Sequence, residues 1–402
     1  MSAVRAGDVF EPSAWTGALD PEFWRRGIAL HRAPCAGPGT LAAAGVDRIV
    51  TGASLLLGLS LAPALGRGGL EGLVAELDYY SQPKRLADPA AFFEVPPGGV
   101  AIAEREAPSG WRDPADARRV VIEFESPFQT VHPGHREAYR RFSPNERVQC
   151  RAWLHRERVR PVVVTIHGFG VPDYTVNAEL FFARRLFELG LDIVHFTLPF
   201  HGARRPWGAW FHGQHFVGLA LWRLNEACAQ AVMDLRILLR HLRERGAPAV
   251  GVTGYSLGGY HSALLAGLDA SLDFAIPVAP VASIADLLFE WPVGWVLRAL
   301  LRNPEDAIVE LRRGLALHTP LSHPLQIARE RALILGGLGD RMAPPGHAQL
   351  LFEHWGCPRL CWMSGSHLLP LHRGRWFRVL VEFLASIELL PAPKRGGRRG
   401  AR

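Results

Sequence analysis

Short apolar runs that alternate with helical stretches dominate the chain after residue 118. Two runs, 119–125 and 148–155, partly alternate apolar and polar residues, as edge strands with one wet face do. Six others are almost continuously apolar, as in strands that are buried on both faces: 161–166, 192–197, 250–253, 274–278, 332–336 and 359–363. Helical stretches follow or separate them at 177–189, 219–245, 257–268 and 373–389. The pattern predicts an α/β fold with a mainly parallel sheet of about eight strands and helices on both faces.

Residues 1–115 show no repeat and no strong strand pattern. Helices are predicted near 21–31 and 46–65, and we interpret the region as a helical accessory segment packed on a catalytic domain of residues 116–390. Within that domain, about residues 280–331 form a largely helical interval that is too long for a plain connection. This interval predicts a cap over the carboxyl ends of the strands. Residues 391–402 form a basic tail that is predicted to be disordered.

Composition and charge narrow the class of protein. The 402 residues are 48% hydrophobic and 21% charged, which is typical of a globular protein with a sizeable core. The net charge is +7, but five of the positive charges lie in the tail, so no nucleic-acid partner is predicted. The five cysteines are scattered and odd in number. They indicate free thiols in a reducing compartment, and we predict a cytoplasmic location.

One uncharged stretch, residues 49–66, raises the question of membrane attachment. Its length is at the lower limit for a membrane span, and Gly52, Gly58 and Pro63 weaken it further. We favour a helix packed on the main domain and keep peripheral membrane association through this stretch as the alternative. No signal peptide is predicted at the N-terminus.

The sequence Gly-Tyr-Ser-Leu-Gly at 254–258 lies between a predicted strand and a predicted helix. A serine held on so sharp a turn brings the residues two before and two after it close together, and glycine avoids the clash. The turn exposes the Ser256 hydroxyl beside a helix N-terminus, whose free N–H groups favour developing negative charge. Ser256 is therefore the candidate nucleophile.

A serine hydroxyl needs a base, and the base needs an acid that orients it. Asp340 and His367 each lie in a loop just past the carboxyl end of a predicted strand. The order Ser256, Asp340, His367 is the order of nucleophile, acid and base that is expected when neighbouring loops converge. Asp286 and Glu290, at the start of the predicted cap, are the rival acids.

The reaction also needs donors for the oxyanion. The backbone N–H of Leu257, directly after the nucleophile, is the first candidate. The second comes from the turn His-Gly-Phe-Gly at 167–170, which ends the strand 161–166. We predict Phe169 as this donor, with Gly168 and Gly170 as near alternatives, and interpret His167 as a structural residue.

Together, the turn at 167–170, the turn at 254–258 and the loops of Asp340 and His367 resemble the α/β-hydrolase fold superfamily. The resemblance covers about residues 119–390. It implies a serine hydrolase fold that needs no cofactor, and it does not identify the substrate, because this fold hosts many activities.

Two other groups of residues bear on ligands. Cys357, Cys361, His367 and His372 have spacings that faintly suggest zinc, but Cys361 falls inside a predicted strand, so no metal is predicted. Aromatic residues in the loop 198–216 and in the cap suggest an apolar substrate pocket, formed by Phe200, Trp207, Trp210, Trp291 and Trp295.

The sequence thus predicts a serine hydrolase that cleaves carboxylic esters, esterase-like or lipase-like, with a small lipophilic ester as substrate. A thioesterase, amidase or acyltransferase would use the same three residues and stays open as an alternative. A non-catalytic binding module on the same fold is the alternative of another class. The oligomeric state is not predicted.

Overall fold

A mainly parallel sheet of nine strands forms the centre of the fold. The computed structural model describes residues 37–64, 76–108, 110, 113–216, 220–300 and 304–390. The helix predicted near 21–31 and the tail at 391–402 lie outside these residues.

The strand order is β1-β2-β3-β5-β4-β6-β7-β8-β9. The pairs β1–β2, β2–β3 and β3–β5 are antiparallel, and the five others are parallel. The strands are β1 (Ile102–Glu106), β2 (Arg118–Glu125), β3 (Arg147–Leu154), β4 (Val162–Ile166), β5 (Asp192–Phe196), β6 (Val250–Tyr255), β7 (Ala275–Val278), β8 (Leu333–Gly337) and β9 (Arg359–Met363).

The predicted fold class is confirmed, and each of the eight predicted strands corresponds to one of β2–β9. The ninth strand, β1, lies in the region where no strand was predicted. It reads Ile-Ala-Glu-Arg-Glu and pairs with β2 at the edge of the described sheet, and all five of its side chains are half-buried or exposed. An edge strand with this little apolar content carries no clear periodic signal.

Helices cover both faces of the sheet. They are α1 (Pro38–Ala64), α2 (Pro83–Leu86), α3 (Arg136–Arg140), α4 (Tyr174–Leu180), α5 (Ala183–Glu188), α6 (Leu221–Glu244), α7 (Leu257–Leu268), α8 (Ile284–Glu290), α9 (Val293–Leu300), α10 (Pro304–Gly314), α11 (Pro345–His354) and α12 (Arg373–Ser386). Short 3₁₀ turns lie at 89–92, 133–135, 143–146, 202–204, 316–318, 320–322 and 329–331.

The core is divided by the sheet into two apolar layers. Helices α6, α7 and α11 cover one face, and α4, α5 and α12 cover the other. Strand β4 feeds both layers, because Val162 and Val164 join the first and Val163 joins the second. Burial on both faces explains why the parallel strands read as continuous apolar runs.

Helices α8, α9 and α10 fill the long interval between β7 and β8. A buried ion pair joins the first and third of them, with Arg312 Nε 3.0 Å from Asp286 Oδ1. Helix α1 packs against α9, and Ser54 Oγ accepts a hydrogen bond from the Val293 N–H at 3.3 Å. Of the helices in the described residues, none is long and apolar enough to cross a membrane.

Candidate active site

Ser256 lies on a strained turn between β6 and α7. Its backbone has φ 58° and ψ −113°, a conformation that residues other than glycine rarely adopt. The turn is held because the Ser256 N–H donates to the Val278 oxygen at 2.9 Å. Strain of this kind costs about 1–3 kcal/mol and is typical of functional positions.

The glycines on either side of Ser256 are required by close backbone approach. A Cβ on Gly254 would lie 2.1 Å from the Gly258 oxygen. A Cβ on Gly258 would lie 1.9 Å from the Ile166 oxygen, at the end of β4. No side chain fits in either place, so the two glycines set the sharpness of the turn and the packing of α7 on the sheet.

Asp340 and His367 are directly hydrogen-bonded. Asp340 Oδ2 lies 2.6 Å from His367 Nδ1, and both side chains are buried. The other carboxylate oxygen, Oδ1, accepts from the N–H groups of Met342 at 2.9 Å and Ala343 at 2.7 Å. The loop after β8 therefore holds the carboxylate in place, and the carboxylate orients the imidazole.

The rival acids are paired elsewhere. Asp286 bonds to Arg312 and to the hydroxyl of Ser283, and Glu290 Oε2 lies 3.1 Å from His347 Nε2. Of these three carboxylates, Asp340 is the one that bonds to the imidazole of His367.

Opposing effects set the pKa of His367. Burial lowers the pKa, because it disfavours the charged imidazole. The charge and hydrogen bond of Asp340, together with the charge of Asp47, raise it, and the net result lies above the ordinary value of 6.5. The site is built to stabilise a protonated imidazole.

The candidate oxyanion donors lie beside Ser256. Leu257 is the first residue of α7, where backbone N–H groups have no intrahelical acceptor. Gly168 and Phe169 line the same cavity as Ser256, and a Cβ on Gly168 would lie 3.6 Å from the Ser256 Cβ.

His167 has a structural position. Its Nδ1 donates to the Gly168 oxygen at 2.8 Å and its Nε2 accepts from the Leu198 N–H at 3.1 Å, so it joins the loops after β4 and β5. Burial lowers its pKa to about 4, which keeps the ring neutral.

Comparisons with known proteins agree with this architecture. A family model described as alpha/beta hydrolase domain containing 18 matches residues 111–286. The uncharacterized protein Rv2627c of Mycobacterium tuberculosis H37Rv is 31% identical over 333 residues, which cover 80% of this chain and 76% of the relative. The chain belongs to the α/β-hydrolase superfamily. An acetyl xylan esterase from Paenibacillus sp. R4 shares this fold, with a TM-score of 0.51, 14% identity, and coverage of 76% of this chain and 99% of the esterase.

A cavity of about 530 Å³ opens above Ser256 in this α/β-hydrolase fold. Ser256, Leu257 and His367 lie in its wall. Apolar side chains from α4, the segment after β7 and the loops after β8 and β9 form most of the remaining lining: Val176, Leu180, Val281, Ile284, Leu287, Leu288, Trp291, Met342, Leu368 and Pro370. The charged residues in the lining are Glu179 and Arg373.

Of the five aromatic residues that were predicted to form the pocket, four lie elsewhere. Trp291 lines the cavity, but Phe200 is fully buried in the core, where its ring packs on Tyr139 and Phe142. Trp207, Trp210 and Trp295 do not line the cavity, and their exposed fractions are 95%, 90% and 64%. Most of the apolar side chains in the wall are aliphatic, because α4 and α8 present leucine, isoleucine and valine to it.

Two residues near His367 were not predicted from the sequence to support the site. The Tyr255 hydroxyl donates to the His367 backbone oxygen at 2.6 Å, and its ring lies 4.9 Å from the imidazole. Asp47, on α1, accepts hydrogen bonds from the loops of both Asp340 and His367. Tyr255 stands next to Ser256 in the sequence, which is a weak signal, whereas nothing local marks Asp47.

Cys361 lies in β9, as predicted, and the imidazole of His367 is bonded to Asp340. Within the part of the chain that the structure describes, no group of three or more potential ligands could hold a metal ion.

Proposed function

We propose that the protein is a serine hydrolase that cleaves carboxylic esters with an apolar acyl or alcohol portion. One observation carries the proposal: a serine on a strained turn shares an apolar cavity with a histidine whose Nδ1 is bonded to a buried aspartate. Each of the three residues comes from a different loop, and the arrangement matches the roles of nucleophile, base and acid.

The proposed reaction proceeds through an acyl-enzyme. His367 takes the proton of Ser256 through Nε2 as the serine oxygen attacks the ester carbonyl. Asp340 keeps the imidazole in the tautomer with hydrogen on Nδ1 and stabilises the charged ring. The N–H groups of Leu257 and Phe169 stabilise the oxyanion, with Gly168 as the alternative donor. His367 then protonates the leaving alcohol, and water activated by His367 releases the acid.

The lining of the cavity supports an apolar substrate. Each methylene group that moves from water into such a wall contributes about 0.8 kcal/mol, or roughly a fourfold gain in kcat/KM when the gain persists in the transition state. Activity should therefore rise with acyl length until the cavity of about 530 Å³ is filled. Equal activity on acetyl and octanoyl esters of one alcohol would argue against this use of the cavity.

A fluorophosphonate probe tests the mechanism directly. We expect the wild-type protein to be labelled at Ser256, and Ser256→Ala to abolish the labelling. Ser262→Ala is the matched control, because Ser262 lies six residues after Ser256 on α7, is buried and donates to the Gly258 oxygen at 2.9 Å. Labelling that survives in Ser256→Ala, or an active wild-type protein that resists the probe, would refute the proposal.

A further inference from the structure

A single buried carboxylate connects the loops of the proposed acid and base. Asp47 lies in the first half of α1 and is fully buried. Its Oδ2 accepts from the N–H of Arg341 at 3.0 Å and from the N–H of His367 at 2.8 Å. Its Oδ1 accepts from the N–H of Leu368 at 3.0 Å. Arg341 directly follows Asp340, so Asp47 binds the backbone beside both members of the pair.

These contacts need a carboxylate. Burying a charge is costly unless hydrogen bonds compensate it, and three backbone N–H groups do so here. An asparagine in the same place would offer one acceptor oxygen, and its NH₂ group would face at least one of the three donors. The three N–H donors therefore account for the presence of an aspartate at a buried position of a largely apolar helix.

The rest of α1 continues the same connection. Thr40 Oγ1 accepts from the N–H of Gly365 at 3.2 Å, in the loop that carries His367. Farther along, Ser54 bonds to the cap at Val293. The helix thus spans from the loop after β9 to the cap, and it lies in the region that the sequence suggested was accessory.

We propose that Asp47 is a positioning residue of the catalytic site, which fixes the loops of Asp340 and His367 relative to each other and places its negative charge next to His367. This role rests on the proposed function. Misplacing a catalytic group by about 1 Å can cost about 100-fold in rate, which is the size of effect that loss of the contacts should produce.

Several groups face His367. Asp340 bonds its Nδ1, Asp47 bonds its backbone, and the ring of Tyr255 packs on the imidazole. Glu179 and Arg373 line the same cavity. Burial lowers the pKa of His367, whereas Asp340 and, to a smaller extent, Asp47 raise it. Removing the charge of Asp47 should therefore lower this pKa.

The experiment compares full-length variants by the rate constant for fluorophosphonate labelling as a function of pH. Rates are normalised to the Ser256 sites that are titrated at the end point, so that only folded protein is counted. Asp47→Asn should label about 100-fold more slowly, and its acid limb should move to lower pH. Asp47→Glu keeps the charge but displaces it, so it should lose rate with little movement of the limb. Thr40→Val removes a neutral contact of the same helix to the same loop and should leave the limb in place.

The outcomes separate this role from the proposed function. An Asp47→Asn protein with the wild-type rate and acid limb would overturn the role. If Asp47→Asn labels more slowly but its acid limb stays in place, Asp47 is merely structural, and the proposed role is overturned as well. If wild-type labelling does not depend on Ser256, the proposed function fails, and the role of Asp47 fails with it.

Discussion

The replacement Asp340→Asn should disturb the orientation of His367, the proposed base, while the loop that carries residue 340 stays intact. The amide oxygen of asparagine can take the place of Oδ1 and keep the bonds from Met342 and Ala343. Its NH₂ group then faces His367 Nδ1, which must accept a hydrogen bond where it formerly donated one. The imidazole is thereby forced into the tautomer with hydrogen on Nε2, which cannot take the proton of Ser256.

The expected loss is large in rate and small in stability. A wrong tautomer in this kind of site costs about 10⁴-fold in kcat, or about 5.5 kcal/mol in the activation free energy. The free energy of unfolding should change by less than about 2 kcal/mol, because the two bonds in the loop persist. Asp340→Ala is the contrasting variant, since it leaves both N–H groups without their acceptor and should cost about 2 kcal/mol or more in stability.

The assay is ester hydrolysis as a function of pH, with chemical denaturation of the same samples. In the wild type, kcat/KM should rise with pH as His367 loses its proton, and the limb should lie above pH 6.5 because the pKa of His367 is raised. In Asp340→Asn the carboxylate that raises this pKa is gone, so the residual activity should rise at a lower pH. An Asp340→Asn protein that keeps activity within tenfold of the wild type would refute the role of Asp340.

Three further predictions concern the turn, the cavity and a buried carboxyl. Gly258→Ala should abolish fluorophosphonate labelling of Ser256, because the added Cβ would lie 1.9 Å from the Ile166 oxygen. Gly98→Ala is the control, because a Cβ there would meet nothing within 4 Å. A Gly258→Ala protein that folds and is labelled would contradict this prediction. Leu288→Trp should shift the preferred ester to shorter acyl chains and Leu288→Ala to longer ones, and identical kcat/KM profiles would show that the cavity does not take the acyl chain. Burial raises the pKa of Glu226 from 4.5 to about 7. The wild type should therefore lose about 3 kcal/mol of unfolding free energy relative to Glu226→Gln as pH rises through 4.5 to 7. If the unfolding free energies of these two proteins change with pH in parallel, the prediction for Glu226 is wrong.

Local patterns were sufficient for strands β2–β9, the turn of Ser256 and the order of the three proposed catalytic residues. Buried parallel strands need continuous apolar runs, and the turn needs glycine where backbones approach within about 2 Å. Asp340 and His367 could be paired in advance because parallel strands place their following loops at one edge of the sheet. These inferences use short stretches of chain or a general rule of topology.

The wall of the cavity and the hydrogen bonds that support the His367 loop were decided by packing between distant segments. Exposed Trp207 and buried Phe200 are both aromatic in the sequence, and only their tertiary surroundings distinguish them from Trp291. Asp47 stands beside Arg48 in an otherwise uncharged helix, and its three donors lie about 300 residues farther along the chain. Sequence determined which residues can do the chemistry, because that depends on side-chain type and local turns. The tertiary structure alone decided what surrounds them, because contacts between remote segments leave no periodic pattern in the chain.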